Sequence, residues 1–284
     1  MLALAQQVKA LAQGLGFEVC GITPAEPLTE AYERYLQAVF SGRLGGLRYL
    51  TENLALRYHP RTLLPSARSL VLCLKSYYQG IRLHPPIAQY AWGEDYHHVL
   101  RRKLEIISDY LRRKGGPGTE VRPFVDTAPI LEKPYAQRAG LGWMGKNTLL
   151  ISPKLGSYTF IAGLATNLPL PPDAPFAQDL CGTCQRCIEA CPTGALAPYR
   201  LDVRRCIAYW TIEAPTLSEG MPPTGEWLFG CDICQAVCPW NRFARPHSET
   251  AFTPRPYVAW GVETWAAAPK SQIRRMVRLS ALRR

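Results

Sequence analysis

The sequence has no long hydrophobic run and no recognisable export signal. None of its apolar stretches approaches the ~20 residues that a helix needs to cross a bilayer. The first residues, MLALAQQVKALAQG, place polar Gln and Lys side chains inside the apolar pattern, which is unlike a signal peptide. We therefore expect a cytoplasmic protein that does not act at a membrane.

Three common cofactor motifs are also missing. No GxGxxG follows a strand-like run, no GxxxxGK[ST] occurs, and no CxxCH is present for haem attachment. Any redox function of this chain therefore depends on other cofactors than those that these motifs bind.

Acidic residues are scarce relative to basic ones. The 284 residues include 33 Lys and Arg but 22 Asp and Glu, which leaves a formal charge of +11. The apolar fraction of 47% and the charged fraction of 19% are globular values, and they exclude a disordered or fibrous protein. Because a positive surplus attracts polyanions, nucleic acid is the first partner to consider.

Helix-like and strand-like segments alternate through the first 170 residues. Apolar residues recur at helical spacing in some segments and form short continuous runs in others. This alternation indicates an α/β domain. The predicted helices cover 2–15, 28–40, 96–113 and 130–139, and the predicted strands cover 17–22, 69–74, 120–125, 147–151 and 158–166.

The composition changes after a proline-rich connection at 168–175. We expect three regions: an α/β domain at 1–170 that binds cofactor and substrate, a cysteine-rich domain at 171–245, and a basic segment at 246–284 that packs on the core. The last region has no acidic residue after Glu263 and is rich in arginine.

Eight of the ten cysteines lie between residues 181 and 238, and this clustering favours metal ligation over disulfides. The first motif, C-x2-C-x2-C-x3-C-P, has the spacing by which bacterial ferredoxins hold a [4Fe–4S] cluster, with the fourth cysteine reaching the other cluster. The spacing therefore predicts two clusters with a crossed assignment. One cluster is assigned to Cys181, Cys184, Cys187 and Cys238, and the other to Cys191, Cys206, Cys231 and Cys234.

The alternative for these cysteines is a pair of structural zinc sites. Zinc ribbons use two separate CxxC pairs and have no need of a three-cysteine loop that ends in Cys-Pro, so the spacing favours iron–sulfur clusters. Cys20 and Cys73 lie in apolar, strand-like runs and are predicted to be buried core residues. Because an electron carrier alone does not need a large α/β domain, we expect that domain to hold a further cofactor or the substrate.

Several residues before the cysteines have two interpretations. Asp126 lies between a predicted strand and a predicted helix, so it is either a helix cap or a reactive carboxylate at a strand end. Lys146 and Asn147 follow a glycine and form either a phosphate or amide contact or a solvated turn. His97 opens a helix, where a surface or capping role is more common than ligation. Arg57 is either a surface cation or a functional one.

At these motifs the sequence resembles the epoxyqueuosine reductases, which complete the modified nucleoside queuosine at the wobble position of certain tRNAs. The segment that begins with Asp126 and contains GLGWMGKN is specific to that family, whereas the ferredoxin motif is widely shared. The resemblance covers nearly the whole chain. It is carried by DTAPILEKPYAQRAGLGWMGKNTLLI at 126–151, LGSYTFIAGL at 155–164, CGTCQRCIEACPTGAL at 181–196, RRCIAYWTIE at 204–213 and GCDICQAVCPWN at 230–241.

The resemblance implies a cobalamin-binding domain with a fold similar to that of reductive dehalogenases, followed by a ferredoxin-like domain whose two [4Fe–4S] clusters feed the corrin cobalt. It implies that Asp126 is the proton donor. It also places five further residues on or near the corrinoid: Arg57, His97, Lys146, Asn147 and Ser157.

The implied function is reduction of epoxyqueuosine to queuosine in tRNA, the last step of queuosine biosynthesis, with electrons from an external flavodoxin or ferredoxin. We expect the protein to act as a monomer. Many members of the family continue into helical repeats that help to hold tRNA, whereas this sequence ends at Arg284, so we expect the remaining surface to contact the tRNA.

Two other classes of protein share parts of this pattern. A reductive dehalogenase also combines cobalamin with two clusters, but such enzymes are usually exported, and this sequence shows no twin-arginine leader. A ferredoxin-like electron carrier with affinity for RNA would contain the clusters without cobalamin.

Overall fold

The computed structural model describes residues 1–81, 83–84, 86–214 and 220–283. Helices and strands alternate along the first 170 residues, as the sequence predicts, and short one-turn elements follow. The helices are α1 (Leu2–Gly14), α2 (Thr29–Phe40), α3 (Arg48–Thr51), α4 (Tyr96–Gly115), α5 (Glu132–Arg138), α6 (Arg186–Glu189), α7 (Ile233–Ala236), α8 (Val262–Ala267) and α9 (Lys270–Val277). The strands are β1 (Val19–Pro24), β2 (Ser69–Ser76), β3 (Val121–Phe124), β4 (Trp143–Met144), β5 (Leu150–Ile151), β6 (Thr159–Thr166), β7 (Leu196–Ala197) and β8 (Arg200–Leu201).

Four strands form the central sheet in the order β1-β2-β6-β3. Each neighbouring pair is antiparallel, so the domain is of the α+β type within the predicted class. The predicted strand at 147–151 is replaced by a small hairpin in which β4 pairs with β5. The sequence could not reveal this pairing, because strand direction depends on contacts between segments far apart in the chain.

Both faces of the sheet are covered, which explains the continuous apolar run in β2. Val71 and Cys73 belong to a core cluster that includes residues of α1 and α4. Leu70, Leu72 and Leu74, which alternate with them, belong to a second cluster that includes residues of α5. Because side chains alternate between the two faces of a strand, every residue of β2 is buried.

Cys73 and Cys20 lie outside the cysteine-rich region, on adjacent strands. They are register partners in the β1–β2 pair, and their sulfur atoms are 3.4 Å apart. Cys73 is fully buried and Cys20 is partly buried against the same core, as the sequence predicts.

The cysteine-rich region packs against the first domain through short segments. The backbone amide of Ala88 donates to the carbonyl of Phe229, within an isolated parallel bridge formed by Ile87 and Phe229. Helices α6 and α7, each one turn long, carry the cysteine motifs and contact each other. This region therefore depends on the first domain for part of its backbone hydrogen bonding.

The C-terminal helices α8 and α9 lie beside a third group of buried residues. The Tyr257 hydroxyl donates to the carbonyl of Ala91 at 2.6 Å, and Val277 packs in the same cluster as Trp92. Arg284, the last residue of the basic segment, lies outside the described residues. The boundaries predicted for the three regions stay predictions. No helix in the described part of the chain is long and apolar enough to cross a membrane.

Gly21 in β1 offers a test of the packing between the sheet and the end of α5. A Cβ atom at Gly21 would lie 2.1 Å from the carbonyl oxygen of Ala139, so the backbone would have to move. We expect Gly21→Ala to lower the free energy of unfolding by about 1–3 kcal/mol, as overpacking does. Gly14→Ala is the matched control, because a Cβ at Gly14 meets no atom within 4 Å. Denaturant unfolding of the two variants measures the difference, and equal stabilities would contradict this packing.

Candidate active site

Asp126 lies just beyond β3 in a left-handed backbone conformation, with φ of 58°. Aspartate tolerates this region better than most residues. Its backbone amide donates to Glu132 Oε1 at 2.8 Å. Helix α5 begins at Glu132 with Leu131 in the N-cap position and no side-chain cap. The interpretation of Asp126 as a helix cap is therefore wrong, and its side chain is left for another role.

The first turn of α4 directs two side chains at the Asp126 carboxylate. The Tyr96 hydroxyl donates to Asp126 Oδ2 at 2.8 Å, and His97 Nε2 lies 3.4 Å from the same oxygen. On its other side, His97 Nδ1 lies 2.7 Å from Asp95 Oδ1, which also accepts the backbone amide of His97 and so caps the helix. His97 points inward, whereas its neighbour His98 is exposed.

The carboxylates on both sides of His97 keep its ring charged. Burial disfavours the imidazolium, but the hydrogen bonds and charges of Asp126 and Asp95 outweigh burial and raise the pKa of His97 to about 9. His97 therefore carries a proton at neutral pH, within 3.4 Å of an Asp126 oxygen. The pair Asp126–His97 can hold and pass on a proton.

Two ionisable residues of α5, Glu132 and Lys133, lie close to Asp126. Burial, reinforced by the charge of Asp126, raises the pKa of Glu132 to about 8. Burial also lowers the pKa of Lys133, against the opposing influence of Asp126 and Glu132. The Lys133 ammonium donates to the carbonyl of Thr148 at 3.0 Å. Neither residue could be recognised as part of the site from the sequence, because a Glu-Lys pair at the start of a helix is also a common surface pattern.

A cavity of about 800 Å³ opens beside Asp126. Arg57 and Glu213 line the same cavity, so the structure brings Arg57 near Asp126, while its contact with a corrinoid stays a prediction. A second cavity, of about 810 Å³, adjoins the first. The residues that line both cavities are Leu131, Pro134, Met144 and Thr148. Together they offer more space than a nucleoside alone requires, so the residues present fit a large cofactor beside a substrate.

The eight clustered thiols fall into two groups of four. In the first, Cys187 lies close enough to Cys181, Cys184 and Cys238 for their charges to raise its pKa, after burial, and the four line one small cavity. In the second group, burial and the charges of neighbouring thiols raise the pKa values of Cys206, Cys231 and Cys234. For Cys191, burial is outweighed by hydrogen bonds from Thr193 and from the backbone of Ala195, which lower the pKa. The members of the second group are Cys191, Cys206, Cys231 and Cys234.

This grouping is the one that the crossed assignment requires, and the ligation itself stays a prediction. In the part of the chain described, no three Cys, His, Asp or Glu side chains are grouped closely enough to hold one metal ion. The two groups are adjacent, because Cys187 also influences the pKa of Cys234. Backbone and indole N–H groups contact the sulfurs, with Ala195 N 3.3 Å from Cys191 Sγ and Trp143 Nε1 3.5 Å from Cys181 Sγ.

Lys146 and Asn147 lie at the first thiol group. They are 9% and 3% exposed, so the solvated-turn interpretation is wrong. The Lys146 ammonium donates to the carbonyls of Gly182 and Cys184, at 2.6 and 3.1 Å, and so holds the cysteine loop. Asn147 lines the cavity of that group, and its Nδ2 has no hydrogen-bond partner among the described residues. A buried donor beside four thiols suits a cluster whose sulfur atoms accept hydrogen bonds.

Ser157 belongs to a buried polar network that links the first domain to the cysteine-rich region, and it does not line the Asp126 cavity. Its hydroxyl donates to Gln235 Oε1 at 3.0 Å and accepts from Asn241 Nδ2 at 3.0 Å. Gln235 in turn donates to Asp232, whose pKa is raised to about 6 by burial. The sequence did not reveal this network. The feature that pointed to it was the presence of polar residues inside the second cysteine motif.

Comparisons with known proteins agree with this arrangement. The family model described as "4Fe-4S double cluster binding domain" matches residues 180–241, and that described as "Epoxyqueuosine reductase QueG, DUF1730" matches residues 57–127. The chain is 41% identical to an epoxyqueuosine reductase of Cyclobacterium marinum, over 98% of this chain and 92% of the relative. It is 44% identical to that of Leadbetterella byssophila, over 88% and 83%.

Solved structures agree as well. A crystal structure of an epoxyqueuosine reductase with an epoxyqueuosine-modified tRNA stem loop superposes with a TM-score of 0.86 at 30% identity, covering 98% of this chain and 76% of that one. A reductive dehalogenase superposes with a TM-score of 0.56 at 19% identity, covering 83% of this chain and 31% of that one, which shows a shared fold.

The fold and the two thiol groups define an iron–sulfur protein in which a double-cluster domain adjoins an α+β domain of the reductive dehalogenase type. Within that class, the chain belongs to the epoxyqueuosine reductase family.

The crossed assignment can be tested by iron content. Cys191→Ala removes one ligand of one cluster. It should lower the iron content from about eight to about four atoms per chain, because each of the two cubanes holds four iron atoms. Cys191→Ala with Cys206→Ala should still retain about four, since both residues serve one cluster, whereas Cys191→Ala with Cys187→Ala should leave almost none. Cys20→Ser, outside both groups, is the control. An uncrossed arrangement predicts the reverse order for the two double variants.

Proposed function

We propose that this protein reduces epoxyqueuosine to queuosine in tRNA, with cobalamin in the cavity beside Asp126 and a [4Fe–4S] cluster at each thiol group. The observation that carries the proposal is the Asp126 carboxylate, held by Tyr96 and His97 at the edge of an 800 Å³ cavity that adjoins the cysteine region. The reaction takes up two electrons and two protons. The epoxide oxygen leaves as water, and a carbon–carbon double bond forms.

Residues of both domains are available to hold the cofactors. Arg57 and Asp126 line the large cavity, and the four thiols of each group surround the cluster positions. His97 adjoins that cavity through Asp126, whereas Lys146, Asn147 and Ser157 contact the cysteine region. When bound, cobalamin supplies a strongly reducing cobalt centre that opens the epoxide, and the clusters supply its electrons.

Asp126 is the proton donor in this proposal. As the epoxide opens, its oxygen develops negative charge, and a carboxylic acid within reach can protonate it in the transition state. The side chain is 52% exposed, so the substrate can approach it. Asp126 and His97 share one proton, which rests on His97 because its pKa is about 9, and Nε2 lies 3.4 Å from Asp126 Oδ2. As the epoxide oxygen becomes strongly basic, this proton passes from His97 through Asp126 to that oxygen.

Glu132 and Tyr96 position the Asp126 carboxylate. Glu132 holds the backbone amide of Asp126, and the Tyr96 hydroxyl fixes one carboxylate oxygen. Tyr96 is itself held by stacking on Phe160 of β6, with ring centroids 4.1 Å apart. The acid is therefore held from the sheet and from both helices, which reduces the reorganisation needed during the reaction.

The positive surplus of the chain supports tRNA as the substrate. Phosphate contacts supply most non-specific affinity for nucleic acid, and they come from lysines and arginines. Arg274 and Arg275 near the end of α9 are exposed and contribute to this surplus. An external flavodoxin or ferredoxin as electron donor and a monomeric state are further parts of the proposal.

A reductive dehalogenase and a simple electron carrier are the two alternative functions. The proton-donating pair Asp126–His97 favours an enzyme over a carrier, because electron transfer between clusters needs no acid. Identity to full-length epoxyqueuosine reductases of 41% and 44%, against 19% to the dehalogenase, favours the tRNA substrate.

Asp126→Asn tests the proton donor. Asparagine adopts the left-handed conformation readily, so the fold should be preserved. The amide cannot donate a carboxylic proton. We expect the variant to bind cobalamin, both clusters and tRNA, yet to lose on the order of 10²-fold or more in single-turnover epoxide reduction. Asp109→Asn on the exposed face of α4 is the control. Near-normal turnover by Asp126→Asn, measured by mass analysis of tRNA nucleosides, would remove Asp126 from the mechanism.

The pH dependence tests His97. Because His97 loses its proton above a pKa of about 9, we expect single-turnover reduction to fall as pH rises through about 9, approaching about tenfold per pH unit. His97→Gln should be slower at pH 7 and should lack this descending limb. His98→Gln, its exposed neighbour, should keep the profile of the unmodified protein. Since Glu132 titrates nearby, at about 8, the comparison between variants isolates His97. An unchanged limb in His97→Gln would contradict the relay.

A further inference from the structure

A surface groove lies directly over the first thiol group. It has a volume of about 610 Å³ and runs between the cysteine motifs of α6 and α7. Cys238 lines both this groove and the small interior cavity that it shares with the other three thiols. The residues that line the groove include Ala190, Ala236, Val237 and Pro239 in its apolar part. This is a place where a predicted cluster ligand forms part of the protein surface.

Two unpaired arginines flank the groove. Arg186 and Arg242 are exposed, and neither has an ion-pair partner within the described residues. The guanidinium of Arg242 lies 4.5 Å from the ring centroid of Phe243, which is itself 47% exposed. One carboxylate, that of Glu189, also lines the groove. An apolar centre with a mainly positive rim is suited to a transient contact with an acidic protein.

The groove lies apart from the site proposed for the tRNA base. It shares no lining residue with the Asp126 cavity. The second thiol group is the one that adjoins the active site, because Cys234 influences the pKa of Lys133, together with Asp126 and Glu132. Glu213, which lines the Asp126 cavity, also ends the helical turn Tyr209–Glu213 that follows Cys206. Electrons that enter at Cys238 therefore reach the first cluster position before the second.

We propose that this groove, the Cys238 groove, docks the external electron carrier, a small protein whose redox group is surrounded by carboxylates. In each encounter the reduced carrier loses one electron and the first cluster gains it, so two encounters supply the two electrons of one epoxide reduction. This inference rests on the proposed function for the use of the electrons. Two observations favour a protein carrier over tRNA as the occupant of the groove. The predicted cluster ligand Cys238 lines the groove, and the Asp126 cavity shares no lining residue with it.

The test uses the full chain with both clusters and a bacterial flavodoxin with an acidic surface around its FMN as the probe. Arg186→Glu with Arg242→Glu should weaken flavodoxin binding at low salt by at least about tenfold, and the affinity of the unmodified protein should fall as salt is added. Arg113→Glu with Lys114→Glu on α4 is the charge-matched control and should bind normally. Titration calorimetry measures the binding constants.

Reduction of the clusters gives a second readout. Stopped-flow bleaching by reduced flavodoxin should slow in the groove variant, whereas reduction by methyl viologen, a small cation that needs no docking groove, should be unchanged. If the double variant loses iron, Arg242→Glu alone replaces it in the test, because Arg242 lies outside the first cysteine loop. This single variant should also bind flavodoxin more weakly and be reduced by it more slowly. Normal flavodoxin binding by Arg242→Glu and by an iron-replete double variant would overturn the proposal.

Two further outcomes separate the hypotheses. If the groove variant loses affinity for an anticodon stem loop but binds flavodoxin normally, the groove is an RNA contact and the docking proposal is wrong. If the unmodified protein, reduced by methyl viologen, fails to convert epoxyqueuosine in tRNA, the proposed function fails. The flavodoxin binding constants then still decide whether the groove is a docking site.

Discussion

The convergence of two helices on Asp126 is the constraint on which the active site depends. Helix α4 packs on one face of the sheet and α5 on the other. At the end of β3, the Tyr96 hydroxyl from α4 reaches the Asp126 side chain, while Glu132 from α5 holds its backbone amide. The position of one carboxylate thus depends on the packing of both faces of the sheet.

The β4–β5 hairpin links the active site to the cysteine region. The segment after α5 forms the β4–β5 hairpin, in which Met144 and Thr148 line the Asp126 cavity while Lys146 and Asn147 face the first thiol group. The bonds from Lys146 to the carbonyls of Gly182 and Cys184 fix the loop against this hairpin. A single short segment therefore contacts both the Asp126 cavity and the first thiol group, so the position of one depends on the position of the other.

The distribution of charge suits the two anionic partners that we propose, tRNA and an acidic electron carrier. The surplus of +11 gives the surface a general attraction for polyanions, and the arginines of α9 are not among the residues that line the Cys238 groove. The active site contrasts with this surface, because Asp95, Asp126 and Glu132 surround His97 and Lys133. Long-range attraction brings a partner to the protein, whereas proton transfer depends on the few buried groups at the cavity.

Local features of the sequence determined the helices of the first domain, the buried strand β2, the two cysteine motifs and the resemblance at 126–151. These features depend on periodicity, spacing and motif, which are properties of nearby residues. The antiparallel sheet order, the separation of Lys146 and Asn147 from Asp126, and the role of Tyr96 depended on contacts between distant segments.

The cap and turn interpretations show why. From the sequence, Asp126 at a strand end could be a helix cap, and Lys146 after a glycine could lie in a solvated turn. The sequence alone does not distinguish these roles from roles in the site. The tertiary structure excludes both local roles. Asp126 lies six residues before the first residue of α5 and cannot cap it, and Lys146 is buried against a loop 36 residues away along the chain. The sequence alone determines a residue's chemical type and its neighbours along the chain. Its burial and its contacts with distant residues are determined only when the chain folds.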